Sequence, residues 1–117
     1  MPSKSPDAAL RDILHHIHLS EQLIHGFDEV TFAGDIRTVY AVTRCLEIIS
    51  EASRRLPDAL KLRHPSIEWS RMAAAGNVYR HDYEDVAARF VWRTVMHDLP
   101  QLRTVVEVEL GGLNGEP

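Results

Sequence analysis

Apolar residues recur at intervals of three, four and seven along almost the whole chain, with no convincing alternation in twos. Positions three and four apart share one face of a helix, whereas a half-buried strand needs a period of two, so the pattern restricts the chain to helices. Leu10, Ile13, Leu14, Ile17 and Ile24 trace the first face. Ser5, Pro6 and Asp7 mark its start: a serine cap, a proline in the first turn, and a carboxylate near the positive end of the helix dipole. That helix is expected to end near Gly26, and "FDEVTFAGD" reads as a connection. From about Asp35 a second helix carries Val39, Val42, Leu46, Ile49 and Leu56. Pro57 closes it, because proline lacks the N–H that a helix interior needs.

A short helical turn is expected around Asp58 to Arg63, and then "SIEWSRMAAAGNVYR" as a third main helix opened by Ser66. Asp82 with Asp85 three residues later resembles a capping box and opens the next helix. Its apolar face is Val86, Ala87, Phe90, Val91, Thr94 and Val95. Asp98 and Pro100 mark another cap, after which Leu99, Leu102, Val106, Leu110 and Leu113 line a last helix before the glycine-rich "GGLNGEP". The expected fold is therefore all-α, an antiparallel up-and-down bundle of four to five helices. One domain over residues 1–117 is expected, with a short flexible C-terminal tail from about 111. A chain of 117 residues buries roughly two-thirds of its unfolded surface, enough for one core.

Composition narrows the functions. One cysteine, Cys45, excludes an internal disulfide framework and suits a reducing cytosol, and its place near the apolar stripe of the second helix makes it a core residue. No secretory signal and no long apolar run is present, so a cytoplasmic protein without a membrane partner is expected. The formal net charge of −4 argues against broad, charge-driven coating of nucleic acid, and no DNA partner is expected. Seven histidines raise a metal site, but on a helix His15, His16 and His18 point apart and no pair of histidines with a carboxylate stands at ligand spacing. No glycine-rich phosphate loop occurs. Neither a metal nor another cofactor is expected.

Two features remain. "GNVYRHDY", residues 76–83, places Asn77 and His81 four apart on one helical face, at a helix end where an imidazole exchanges protons near neutral pH. Gly76, following three alanines, lets another helix or a substrate phosphate approach the backbone closely. The residues alone leave two readings open: a proton-exchange site, or tight packing around a capping histidine. Trp92 and Met96 point almost opposite to the core face of their own helix and suit a partner interface, with a tryptophan covered by a neighbouring loop as the alternative.

Four segments, in order, resemble one family. "AVTRCLEIISEASRRL" is similar to an aliphatic run followed by Gly-Glu-Ala and basic residues, with Ser50 in the glycine's place. "HPSIEW" resembles Tyr-Pro-Glu-Ile-Pro-Trp, "GNVYRHDY" resembles Arg-Asn-x-x-x-His-x-Tyr, and "FVWRTVMHDLPQLRTVV" resembles a closing Val-Trp and Asp-Leu-Pro-x-Leu segment. Together they resemble the HepT-like toxins, the DUF86 branch of the HEPN superfamily. The resemblance implies a helical homodimer acting as a metal-independent ribonuclease toxin on RNA, with an MntA-like minimal nucleotidyltransferase as antitoxin. It implies His81 as acid and base, Asn77 within the motif, and Tyr83 as the residue open to modification with AMP. The motif arginine falls on Gly76. Arg80, one turn on, is the candidate replacement, with Gly76 opening space for its guanidinium; Arg44 and Arg37 are second candidates. Glu51 orients the cleft or pairs with Arg55. Loss of the arginine also implies an alternative, a catalytically silent homologue that binds the nucleotidyltransferase.

Overall fold

In the computed structural model, residues 6–77 and 84–113 are described, and those residues are helical without a strand. The helices are α1 (Asp7–Ile24), α2 (Glu29–Ala33), α3 (Ile36–Arg54), α4 (Asp58–Leu62), α5 (Trp69–Ala74), α6 (Glu84–Arg93) and α7 (Leu99–Leu113). The long helix α1 packs against both α3 and α7 in an all-α bundle, with α5 and α6 laid against α3. Leu10, Ile13 and Ile17 of α1 meet Val42, Leu46 and Ile49 of α3 and Leu102 and Val106 of α7, all fully buried. These are the stripes of the sequence pattern. Cys45 lies among them, and burial pushes its thiol pKa up. Ser5 and Asp82, expected to open helices, lie outside the described residues.

Four boundaries depart from expectation, each for a local reason. "FDEVTFAGD" contains α2, because Asp28 and Thr31 form a capping box: the Asp28 carboxylate accepts from the Thr31 N–H at 2.8 Å, and Thr31 Oγ1 accepts from the Asp28 N–H at 2.9 Å. The helix expected from Ser66 begins only at Trp69. Before it, the Trp69 indole donates to the Lys61 and His64 carbonyls, both at 3.1 Å, and holds the "HPSIEW" segment as a turn against the end of α4. α5 then stops at Ala74, where the Ala75 and Asn77 N–H groups bond three residues back, to Met72 and Ala74.

α7 begins at Leu99, next to Asp98, but without a break from α6. A π-helical turn over Thr94–Asp98 joins α6 to α7, with the Leu99 N–H bonding the Thr94 carbonyl five residues back. Pro100 has no N–H and its ring would crowd the Met96 carbonyl in a regular helix; the widened turn accommodates it. α7 runs on through Gly111 and Gly112 to Leu113, the last residue of the expected helical stripe. On α6 the core face is shifted: Val86 is 43% exposed while Ala88 is buried with Val91 and Val95.

Candidate functional site

The polar stripe of α3 beside its core face builds the site. Glu47, Ser50 and Arg54 follow one another at spacings of three and four, so all three face the end of α5. There α5 comes very close. A Cβ on Gly76 would stand 2.8 Å from the Glu47 Cα and 3.1 Å from Ser50 Oγ. The glycine is therefore a packing requirement. The space expected above it for a guanidinium is filled by the α3 backbone itself, which corrects the reading that Gly76 opens room for Arg80.

Beside this contact lies a half-open cleft of about 140 Å³ lined by Glu47, Ser50, Arg54, Gly76 and Asn77. Arg54 Nη1 donates to the Ala73 carbonyl at 2.6 Å, which fixes the guanidinium at the C-terminal end of α5. Glu47 accepts from Arg44 Nη1 at 3.1 Å on the outer side. Asn77 is half-buried and anchored through its N–H. The Ser50 side chain is 2% exposed, and its hydroxyl has no hydrogen-bond partner.

Of the expected site residues, Asn77 reaches this cleft; Arg80, His81 and Tyr83 lie outside the described residues. Arg44 sits at the rim, held by Glu47. Arg37 is ten positions before Glu47 on α3, about 15 Å along the helix axis, and does not line the cleft. Glu51 pairs loosely with Arg55, at 3.9 Å, while Arg55 also reaches Asp12 at 3.3 Å. Trp92 turns inward. Its ring packs on fully buried Phe32, centroids 5.3 Å apart, because α2 covers that side of α6. Met96 remains 45% exposed.

Sequence reasoning missed Arg54 and gave Ser50 no role of its own. The available signal was a serine set directly after Ile49 in the core stripe, one turn before an arginine. Elsewhere, a larger depression of about 240 Å³ contains Arg71, but that cation is already paired with Asp98 at 3.2 Å. The "HHIH" rings do not converge: His15 and His16 meet edge to face, and His16 Nδ1 donates to the Asp12 carbonyl at 2.7 Å. Among the described residues, no three His, Cys, Asp or Glu side chains are grouped to hold a metal, and no helix is long and apolar enough to cross a membrane.

The model of the family described as "HepT-like: Ribonuclease HepT-like" matches residues 13–109. The chain belongs to the ribonuclease HepT-like family. A Thermococcus cleftensis protein provisionally named ribonuclease HepT is 39% identical over 94 residues, covering 80% of this chain and 86% of the relative. Two Methanocaldococcus jannaschii proteins, both provisionally named RNases, are similar over nearly the whole chain. One is 30% identical over 108 residues, covering 92% of this chain and 99% of its own length. The other is 27% identical over 116 residues, covering 99% and 96%. No solved structure matches the chain at a significant level. Membership of this HepT-like family fits the all-α bundle and spans both the α3–α5 cleft and the segment from Gly76 to Tyr83.

Proposed function

We propose that this HepT-like protein is a metal-independent endoribonuclease, the toxin of a cytoplasmic toxin–antitoxin pair. His81 takes the proton of a ribose 2′-hydroxyl as its oxygen attacks the adjacent phosphorus. The new 2′-O–P bond forms as the P–O5′ bond breaks, and the proton returns to the departing 5′-oxygen, leaving a 2′,3′-cyclic phosphate and a 5′-hydroxyl. Arg80 is assigned as the cation facing the developing phosphoryl charge, and Asn77 orients the substrate beside it. Two chains act as a homodimer. A minimal nucleotidyltransferase neutralises the toxin by transferring AMP from ATP to Tyr83 with release of pyrophosphate, and the exposed Met96 marks the side on which a partner is met. The observation that carries the reading is the family match across the segment holding His81, continuous in sequence with a polar cleft that ends in Asn77.

A second reading is favoured by one observation: α3 packs so tightly on Gly76 that no arginine fits at the family's motif position. On that reading the chain is a silent homologue that holds the nucleotidyltransferase without cutting RNA. Purified, partner-free protein incubated with RNA in a chelator separates the two. The ribonuclease reading expects 2′,3′-cyclic phosphate ends, with the rate falling at least about a hundredfold in His81→Ala. Intact RNA, or cleavage equal to the parent's in the variant, rejects it.

A further inference from the structure

Four polar side chains are fully buried among the described residues: Ser20, Ser50, Ser53 and Thr94. Three of them bond a carbonyl one turn back, Ser20 to His16, Ser53 to Ser50 and Thr94 to Phe90, at 2.8, 2.8 and 2.9 Å. Ser50 does not. A buried hydroxyl without a partner is destabilising, and such a group calls for a specific explanation. Its position supplies one, because Ser50 lines the cleft between α3 and the end of α5.

The other lining groups have the chemistry of an oxyanion receptor. Arg54 has five N–H donors, and its Ala73 bond engages one of them while holding the planar group in place. A guanidinium so held needs little further ordering to grip a phosphate through two parallel bonds. Asn77 also lines the cleft, and its amide is a neutral donor. Glu47 lines the cleft too, but its carboxylate is bonded to Arg44, so that pair contributes no net charge and Arg54 sets the sign. Gly76, without a Cβ, lets the α3 backbone close the floor of the cleft.

We propose that this cleft binds one RNA phosphodiester, with Arg54 supplying the charge and Ser50 Oγ–H and the Asn77 side-chain amide donating to its oxygens. The assignment rests on the ribonuclease reading above and gives it a substrate contact outside the "GNVYRHDY" histidine and arginine. Arg54 is here a binding and positioning residue. Its bond to Ala73 also caps α5, so binding and stability have to be read separately.

The test uses the full chain and a 5′-fluorescein single-stranded RNA with every 2′-hydroxyl methylated, which keeps the phosphates and blocks cleavage. Anisotropy gives Kd, and cleavage of the unmethylated RNA gives kcat and KM. Arg54→Ala is expected to weaken binding roughly tenfold to a hundredfold and to raise KM far more than it lowers kcat. Arg54→Lys regains part of the loss. Ser50→Ala weakens binding severalfold while unfolding at a higher urea concentration than the parent, since it removes an unpartnered buried hydroxyl. Arg71→Ala, on the other depression, binds as the parent does. If Arg54→Ala binds and cleaves like the parent, the phosphate assignment is wrong while the ribonuclease reading stands. If Arg54→Ala fails to fold, Ser50→Ala and Arg54→Lys decide, and parental affinity in both overturns the assignment. A parent that neither binds nor cuts RNA removes the ribonuclease reading and the assignment with it.

Discussion

At Gly76 the missing side chain sets how closely α5 lies on α3. Its φ is not in the left-handed region, where only Gly26 is found among the described residues, so the requirement is steric. Gly to Ala changes at compatible sites stabilise by about 0.4–1 kcal/mol through the unfolded chain, whereas forcing a methyl into a filled core costs about 1–3 kcal/mol. A Cβ at 2.8 Å from the Glu47 Cα meets backbone, which cannot rotate away, so the second effect wins. Gly76→Ala is expected to lose about 1–2 kcal/mol, read as a lower urea midpoint at unchanged slope. Gly76→Arg, which would restore the motif the segment resembles, must lift α5 off α3 and should lose more. A Gly76→Arg variant as stable as the parent would show that α5 moves freely.

Between elements, the strongest polar tie among the described residues joins the end of α4 to α7. Arg63 donates to both oxygens of Glu109, at 2.8 and 3.2 Å, and His64 Nε2 donates to Oε2 at 2.6 Å. The hydrogen bonds from Arg63 hold the Glu109 carboxyl below the usual range, with His64 adding to the effect, although partial burial opposes them. Arg63 is half-exposed, so Glu109→Gln is expected to cost about 1–2 kcal/mol at neutral pH, below the range for fully buried charged pairs. A depressed carboxyl stabilises fully above its unfolded pKa, about 4.3, and the contribution fades as pH falls through the lower folded value. The gap between parent and variant in urea titrations should thus be constant above about pH 5 and close below about pH 4. A gap that persisted in acid would mean packing, not the charged carboxyl, makes the tie.

None of this tie was legible in the sequence, because Glu109 and Arg63 are 46 residues apart and periodicity reports only neighbours on one helix. What was legible followed from period and punctuation: the stripes of α1, α3 and α7, the stop at Pro57 and the buried Cys45. What was not depended on contacts across helices. Trp92 looked partner-facing because α2, which covers it through Phe32, was hidden in a nine-residue stretch read as connection. Pro100 looked like a boundary because a π-helical turn leaves no mark in hydrophobic periodicity. Asn77 lies in the segment the sequence singles out and lines the cleft, while Arg54 carries no mark in the sequence beyond standing one turn after Ser50.

For the whole molecule, on the ribonuclease reading proposed above, charge decides how RNA is held. Seventeen acidic against thirteen basic side chains leave a net charge of −4, and many cations are already paired within the fold, among them Arg11, Arg44, Arg55, Arg63, Arg71 and Arg103. A surface of this kind cannot gather a strand by counterion release over many phosphates; it can grip one or two. For single-stranded nucleic acid the logarithm of affinity falls with the logarithm of salt at a slope of about −0.7 per neutralised phosphate. With Arg54 and one further cation engaged, the slope expected is between about −0.7 and −1.4. Raising salt from about 50 to about 200 mM should then weaken binding of the methylated oligonucleotide only about three- to sevenfold. Arg54→Ala should flatten the slope by about 0.7, whereas removing a cation already paired within the fold should leave it unchanged. A slope steeper than about −3 would mean that four or more phosphates are neutralised, and the strand would then lie along a basic face of the protein, outside the α3–α5 cleft.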